Sequence, residues 1–164
     1  MQRLTDSKVI LITRPTRVAE LKRRFNTLTQ AKFYISHLGQ DFSDYEREDE
    51  QYAEAVSTAR RTLGPLGRVQ MVDRAFLPNF LFGPRDVVVV LGQDGLVANT
   101  LKYLQEQPVV GVNPDPGRWD GVLLPFAVAD LPTIVPEVIR NGRTIATVTM
   151  AQARLNTGET LYGV

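Results

Sequence analysis

The chain has 164 residues, 43% of them hydrophobic and 23% charged, enough apolar material for a single core. A formal net charge of +1 offers no basic excess for gripping DNA or RNA, so no nucleic-acid partner is expected. No cysteine and a single histidine, His37, exclude disulfide scaffolds, thiol catalysis, cysteine-ligated zinc and, within one chain, multi-histidine metal sites or histidine-based triads; no metal ligands are assigned.

The first apolar run, in MQRLTDSKVILITR, is too short and too late for a signal peptide, and no stretch approaches the length of a membrane span. A soluble, cytoplasmic chain with no membrane partner is expected. Residues 8–13, KVILIT, form a continuous β-branched run that reads as a buried strand ending at Arg14-Pro15. Thr16 is the expected N-cap of a helix whose apolar face is Val18, Leu21, Phe25 and Leu28; Ala31, Tyr34, Ile35 and Leu38 repeat the rhythm up to Gly39. A second long helix carries Tyr45, Tyr52, Val56, Ala59 and Leu63 and ends at Gly64-Pro65. Its acidic opening, DYEREDE, reads as a solvated face at the positive end of the helix dipole, the alternative being a magnesium site, against which stands the lack of a phosphate-cradling loop beside it.

A strand at 69–72 precedes the Pro/Phe-rich connection RAFLPNFLFGPR and the strand VVVVL at 87–91. A helix over about 96–105 is expected to bury Leu96, Val97, Thr100, Leu101 and Leu104, with a short strand at 108–112 after it. The loop NPDPGRWDG leads to VLLPF. Asp130 is the expected cap of a helix carrying Leu131, Ile134, Val135, Val138 and Ile139, which starts late or kinks at Pro136 and ends at Asn141-Gly142. This alternation indicates an α/β fold: an open, mostly parallel sheet with helices on both faces. From Thr144 the pattern turns β-rich: RTIATVTMAQARL as a strand, NTG as a hairpin turn, ETLYGV as the return. The expected organisation is an α/β nucleotide-binding domain over 1–142 and the beginning of a β-rich second domain over 143–164, cut off within its returning strand.

In such a sheet, ligands bind beyond the carboxyl ends of the strands, where Arg14–Arg17, Gly92–Gly95 and Asn113–Gly121 collect. The glycines of the second loop let main-chain amides approach a pyrophosphate at a helix N-terminus. Asp94 has the wrong sign to hold phosphate; it suits accepting a sugar hydroxyl's proton or holding magnesium, or, alternatively, simply capping the helix. In the third loop, Arg118 suits a phosphate and Asn113 a base or ribose edge, the alternative being a structural loop in which Arg118 pairs with Asp120 and Trp119 covers a core edge. Arg14 and Arg17 flank a helix start beside the same rim. His37 reads as a partly buried helix histidine. Neither the Walker A pattern nor G-x-G-x-x-G occurs.

These residues resemble a known family. Gly92-Gln93-Asp94-Gly95-Leu96 after a buried strand is similar to the G-G-D-G-T signature of the NAD kinase family, and Gly111-Val112-Asn113, with Gly117 and Gly121, approximates its second signature. The segments RFNTLTQAKFYISHLGQDFSDYE, DRAFLPNFLFGPRDVVVVLGQDGLVANTLKYL and VNPDPGRWDGVLLPF resemble a bacterial branch described as NAD-kinase-like or sugar-kinase-like. The likeness runs along most of residues 8–164.

The resemblance implies an ATP-dependent kinase with Asp94 as the base for the 2′-hydroxyl of the NAD adenosine ribose. It implies Gly92 and Gly95 against phosphates, Asn113 lining the same crevice, and magnesium (Mg2+) on the triphosphate. Gln93, Leu96, Arg14 and Arg118 complete the expected nucleotide contacts. Small-molecule nucleotides are then the partners, NAD the acceptor, and the full-length protein a homo-oligomer whose isolated fragment is inactive. Gln93 and Leu96 stand where the family has glycine and threonine, so a sugar or lipid acceptor is an alternative. From a different class, the chain is alternatively a non-catalytic nucleotide-binding or regulatory module.

Overall fold

The computed structural model describes residues 7–163. Strands β1 (Lys8–Thr13), β2 (Arg68–Asp73), β3 (Val87–Leu91), β4 (Val109–Asn113) and β5 (Phe126–Ala127) form one sheet in the order β2-β1-β3-β4-β5, every neighbouring pair parallel. The continuous apolar runs of β1 and β3 follow from this arrangement, because both faces of a parallel sheet are covered. On one face Val9, Leu11, Val87, Val89 and Leu91 pack against α3 (Phe42–Leu63) and α5 (Leu131–Ile139). The alternate residues Ile10, Ile12, Val88 and Val90 meet Leu77, from a 3₁₀ turn at Arg74–Asn79, and Leu96 and Val97 of α4 (Asp94–Leu101). The sheet therefore carries helices on both faces, as expected.

Three helices, not two, separate β1 from β2. The apolar rhythm after Thr16 is interrupted between α1 (Arg17–Phe25) and α2 (Leu28–His37). Asn26 takes a left-handed conformation, φ 63°, which Asn tolerates better than most residues, and the Thr27 hydroxyl accepts from the Gln30 amide at 3.2 Å to start α2. Val18, Ala31, Ile35 and Phe42 then form a small separate core among α1, α2 and α3.

Other expectations shift. Helix α4 begins at Asp94 and ends at Leu101, and Phe126–Ala127 adds an unforeseen fifth strand. Asp130 does not cap α5 with its side chain: its carboxylate accepts from the Ala127 amide at 2.8 Å, closing a 3₁₀ turn at Val128–Asp130. Pro136 lies inside α5, which continues to Ile139 before Asn141 turns left-handed, φ 54°. His37 is exposed rather than partly buried and stacks on Phe33, ring centroids 5.9 Å apart.

The carboxyl-terminal hairpin forms where the sequence indicates, as β6 (Ala151–Arg154) antiparallel to β7 (Thr160–Gly163), with Gly158 at φ 87° in the turn. It is shorter than expected: residues 144–150 contribute no strand, and all four β6 residues are exposed. None of the helices in the described residues is long and apolar enough to cross a membrane.

Candidate functional site

In the order β2-β1-β3-β4-β5 the chain leaves β1 first toward β2 and later toward β3, so the topological switch point lies between β1 and β3. The residues just past their carboxyl ends are Arg14 and Gly92. Gly92 is buried and donates its amide to the Val112 carbonyl at 3.3 Å. A Cβ there would stand 2.7 Å from a Leu96 methyl and 3.7 Å from Arg14 Cδ. The missing side chain thus lets Leu96 close over the end of β3, with Arg14 in ordinary contact beside it.

Arg14 is the pivot of the site, and its side chain is only 8% exposed. Its guanidinium donates to Glu48 at 3.1 Å and to the Pro15 carbonyl at 3.0 Å, whereas its Nε has no hydrogen-bond partner. Glu48, buried on α3, also accepts from Arg17 Nε. One turn earlier, Asp44 accepts from Arg17 at 2.8 Å and from Arg118, which reaches it from the loop after β4. The Arg17 and Arg118 hydrogen bonds hold the Asp44 carboxyl below its usual range. The acidic opening of α3 is therefore not merely a solvated face, since Asp44 and Glu48 tie the arginines of two loops to that helix. Arg118 pairs with Asp44, not with Asp120.

A cleft of about 340 Å³ opens here, lined by Arg14, Arg17, Arg74, Gln93, Arg118 and Trp119, with Glu20 and Glu48 as its carboxylates. Four arginines against two glutamates leave it cationic, even with Asp44 at the rim. Gln93 is the N-cap residue of α4 but makes no side-chain capping bond, which leaves its amide group to the cleft. Of the residues singled out from sequence, Arg14, Gln93 and Arg118 come together here, with Gly92 and Leu96 packed beneath them.

Asp94, Asn113 and Gly111 do something different: they build the β4–β5 connection. The two Asp94 oxygens accept from the Val122 amide at 3.0 Å and the Leu123 amide at 2.8 Å. The Leu123 carbonyl passes so close over Gly111 that a Cβ would collide with it. Buried Asn113 donates to the Trp119 carbonyl at 2.7 Å and accepts from the Asp115 amide at 3.0 Å, so both ends of its amide group bond within its own loop. Gly121 closes the loop at φ 65°, and a Cβ there would press on Asn113 Nδ2 at 2.9 Å. Asp94 is half-buried at the first position of α4 and is not among the residues lining the arginine cleft. Gly95, beside it, is exposed, with open space where a Cβ would point.

No protein-family model matches the chain, and no curated protein does. Function must be argued from the site itself. No cluster of three potential metal-ligating side chains occurs among the described residues. Sequence reasoning missed Asp44, Glu48 and Arg74. The i, i+4 spacing of Asp44 and Glu48 puts both on one face of α3, and that was the only local signal for them.

Proposed function

We propose that this domain binds the phosphates of a nucleotide at the β1/β3 switch point, as the nucleotide-binding part of a phosphotransferase of NAD kinase type. The observation that carries the reading is the convergence of Arg14, Gln93 and Arg118, from the ends of three different strands, on one cationic cleft. Guanidinium groups match phosphate oxygens in pairs, and Gln93 brings the start of α4, the positive end of its dipole, to the margin of the same cleft. In this reading magnesium arrives with ATP as part of the substrate. Asp94 keeps acceptor capacity beyond the two amide bonds, because a carboxylate has about four lone-pair sites, and so it can still receive a sugar hydroxyl.

A second reading, a nucleotide-binding module without turnover, is favoured by that same clasp: both Asp94 oxygens already serve the β4–β5 connection. Calorimetric titration with ATP and with NAD, each with magnesium, tests the shared part. Saturable binding that weakens at least roughly ten-fold in Arg118→Ala is expected; heats no larger than dilution for every nucleotide overturn both readings. Incubation with ATP, magnesium and a panel of NAD, sugar and lipid acceptors separates the two. A phosphorylated product that disappears in Asp94→Asn supports the kinase, and binding without product supports the module.

A further inference from the structure

We propose that the ligand of the arginine cleft carries a planar, weakly polar ring, and that the ring lodges in a second cavity on the other side of the Arg14-Pro15 ridge. This rests on the nucleotide-binding reading above and adds where the ring of that ligand is held.

The second cavity, about 500 Å³, lies between the start of α1, the middle of α3 and the carboxyl end of β2. Arg14 and Pro15 line both cavities, so the two are neighbours across that dipeptide and one ligand can reach both. Pro15 fixes its own φ, which makes the ridge a stiff divider. The two compartments differ in character. The first is walled by arginines; the second has apolar walls from Ala53, Val56 and Met71 and a few polar groups at its margin, the usual composition of a small-molecule pocket.

Met71 belongs to the edge strand and is 41% exposed, a large apolar side chain left facing open space at a position where the cavity gives it a use. Its unbranched thioether adapts readily to a flat surface. Arg60 at the margin has no ion pair or hydrogen bond from its side chain among the described residues, and neither has the Thr13 hydroxyl; both can address ring heteroatoms. Arg14 lines both compartments, its side chain is more than nine-tenths buried, and its Nε–H has no acceptor. A buried donor left unpaired is costly, and an acceptor on the ligand at the ridge removes that cost.

The test compares two probes that share a triphosphate chain, ATP and inorganic tripolyphosphate, by calorimetry on the whole chain. The expected result is that ATP binds roughly ten-fold or more tightly than tripolyphosphate. Ala53→Trp, which fills the second cavity from an exposed position, should abolish that preference and leave tripolyphosphate affinity unchanged. Met71→Glu, at an exposed edge-strand position, should do the same by charging the wall, so the result does not hang on one variant's folding. Equal affinity for the two probes, or an ATP preference that survives both variants, overturns the ring compartment and leaves the anion cleft standing. Failure of both probes to bind overturns the two together.

Discussion

Tyr52, on α3, donates its hydroxyl hydrogen to the carbonyl of Leu91 at the end of β3, 2.8 Å away. The same oxygen accepts the Arg14 amide, just past the end of β1, at 3.0 Å. One phenol therefore closes the gap between the two strands where the sheet order reverses. Tyr52→Phe leaves a buried amide and a buried carbonyl unpaired and should destabilise the fold by about 1–3 kcal/mol in chemical denaturation. Burial pushes the Tyr52 phenol up from 10.0 to about 12. A raised pKa means a contribution that is complete below the unfolded value and is lost as pH rises through the folded one. Wild type should therefore lose more stability than Tyr52→Phe between pH 10 and 12, and equal alkaline losses would contradict the assignment.

Glu48 is the buried counter-charge for two arginines, and Arg14 is as buried as its partner. Glu48→Gln keeps the shape and removes the charge, leaving a desolvated guanidinium uncompensated. Breaking one side of a buried pair is costly even where the intact pair adds little, so a loss of roughly 3 kcal/mol is expected. Urea denaturation of the single variant reads it directly.

The sheet was legible from sequence because burial on both faces writes itself into VVVVL and KVILIT without any long-range information. The hairpin was legible because Asn156-Thr157-Gly158 has turn chemistry of its own. The break at Asn26-Thr27 was masked by apolar spacing that runs on through Phe25, Leu28 and Ala31 as if nothing happened. The ion-pair network could not be read at all: Arg118 meets Asp44 across 74 residues and Arg14 meets Glu48 across 34. Composition assigns an acidic helix opening to solvent, and only the chain's return places arginines over it. Asn113 reads from sequence as a ligand contact, but a strand-end Asn that organises its own loop has the same sequence pattern as one that faces a ligand.

Two glycines separate fold from site. Gly111→Ala forces a Cβ into the Leu123 carbonyl, a backbone atom that Asp94 anchors through the neighbouring amide, so it should destabilise by at least about 2 kcal/mol. Gly95→Ala meets open space at an ordinary backbone conformation in the first turn of α4, and its stability should stay within about 1 kcal/mol of wild type. If the amide there lies against a phosphate, Gly95→Ala should still weaken nucleotide binding. Thermal melts and titrations on the two variants give the contrast.

Asp44 joins Arg17 and Arg118, and their hydrogen bonds keep its carboxyl below the usual aspartate range. A lowered pKa contributes above the unfolded value and is lost as pH falls through the folded one, so the tie between loop and α3 is intact at neutral pH and fails only in acid below about pH 4. Asp44→Asn should make the amide exchange of residues 115–119 faster at pH 7 while flattening its change in acid. It also frees the Arg118 guanidinium, while Arg17 keeps Glu48, so tripolyphosphate affinity should rise roughly two- to five-fold. A fall in affinity would mean that Asp44 orients the arginines rather than competing for them.

Asp94→Asn is the variant on which the two functional readings divide, and its structural cost must be known first. The Asp94 carboxylate accepts two amides, one on each oxygen. An asparagine keeps one acceptor and turns a donor toward the other amide, so one bond is lost and a donor–donor contact replaces it. The expected cost is about 1–3 kcal/mol. It should be felt locally, as faster hydrogen exchange at Val122 and Leu123, with the β1–β3 pairing protected as before. Because Arg14, Gln93 and Arg118 lie on other segments or face the neighbouring cleft, anion affinity should change less than two-fold. Turnover lost against that background would make Asp94 a chemical participant. Loss of affinity in step with loss of protection would instead make it the strut of the β4–β5 loop, with binding dependent on the strut.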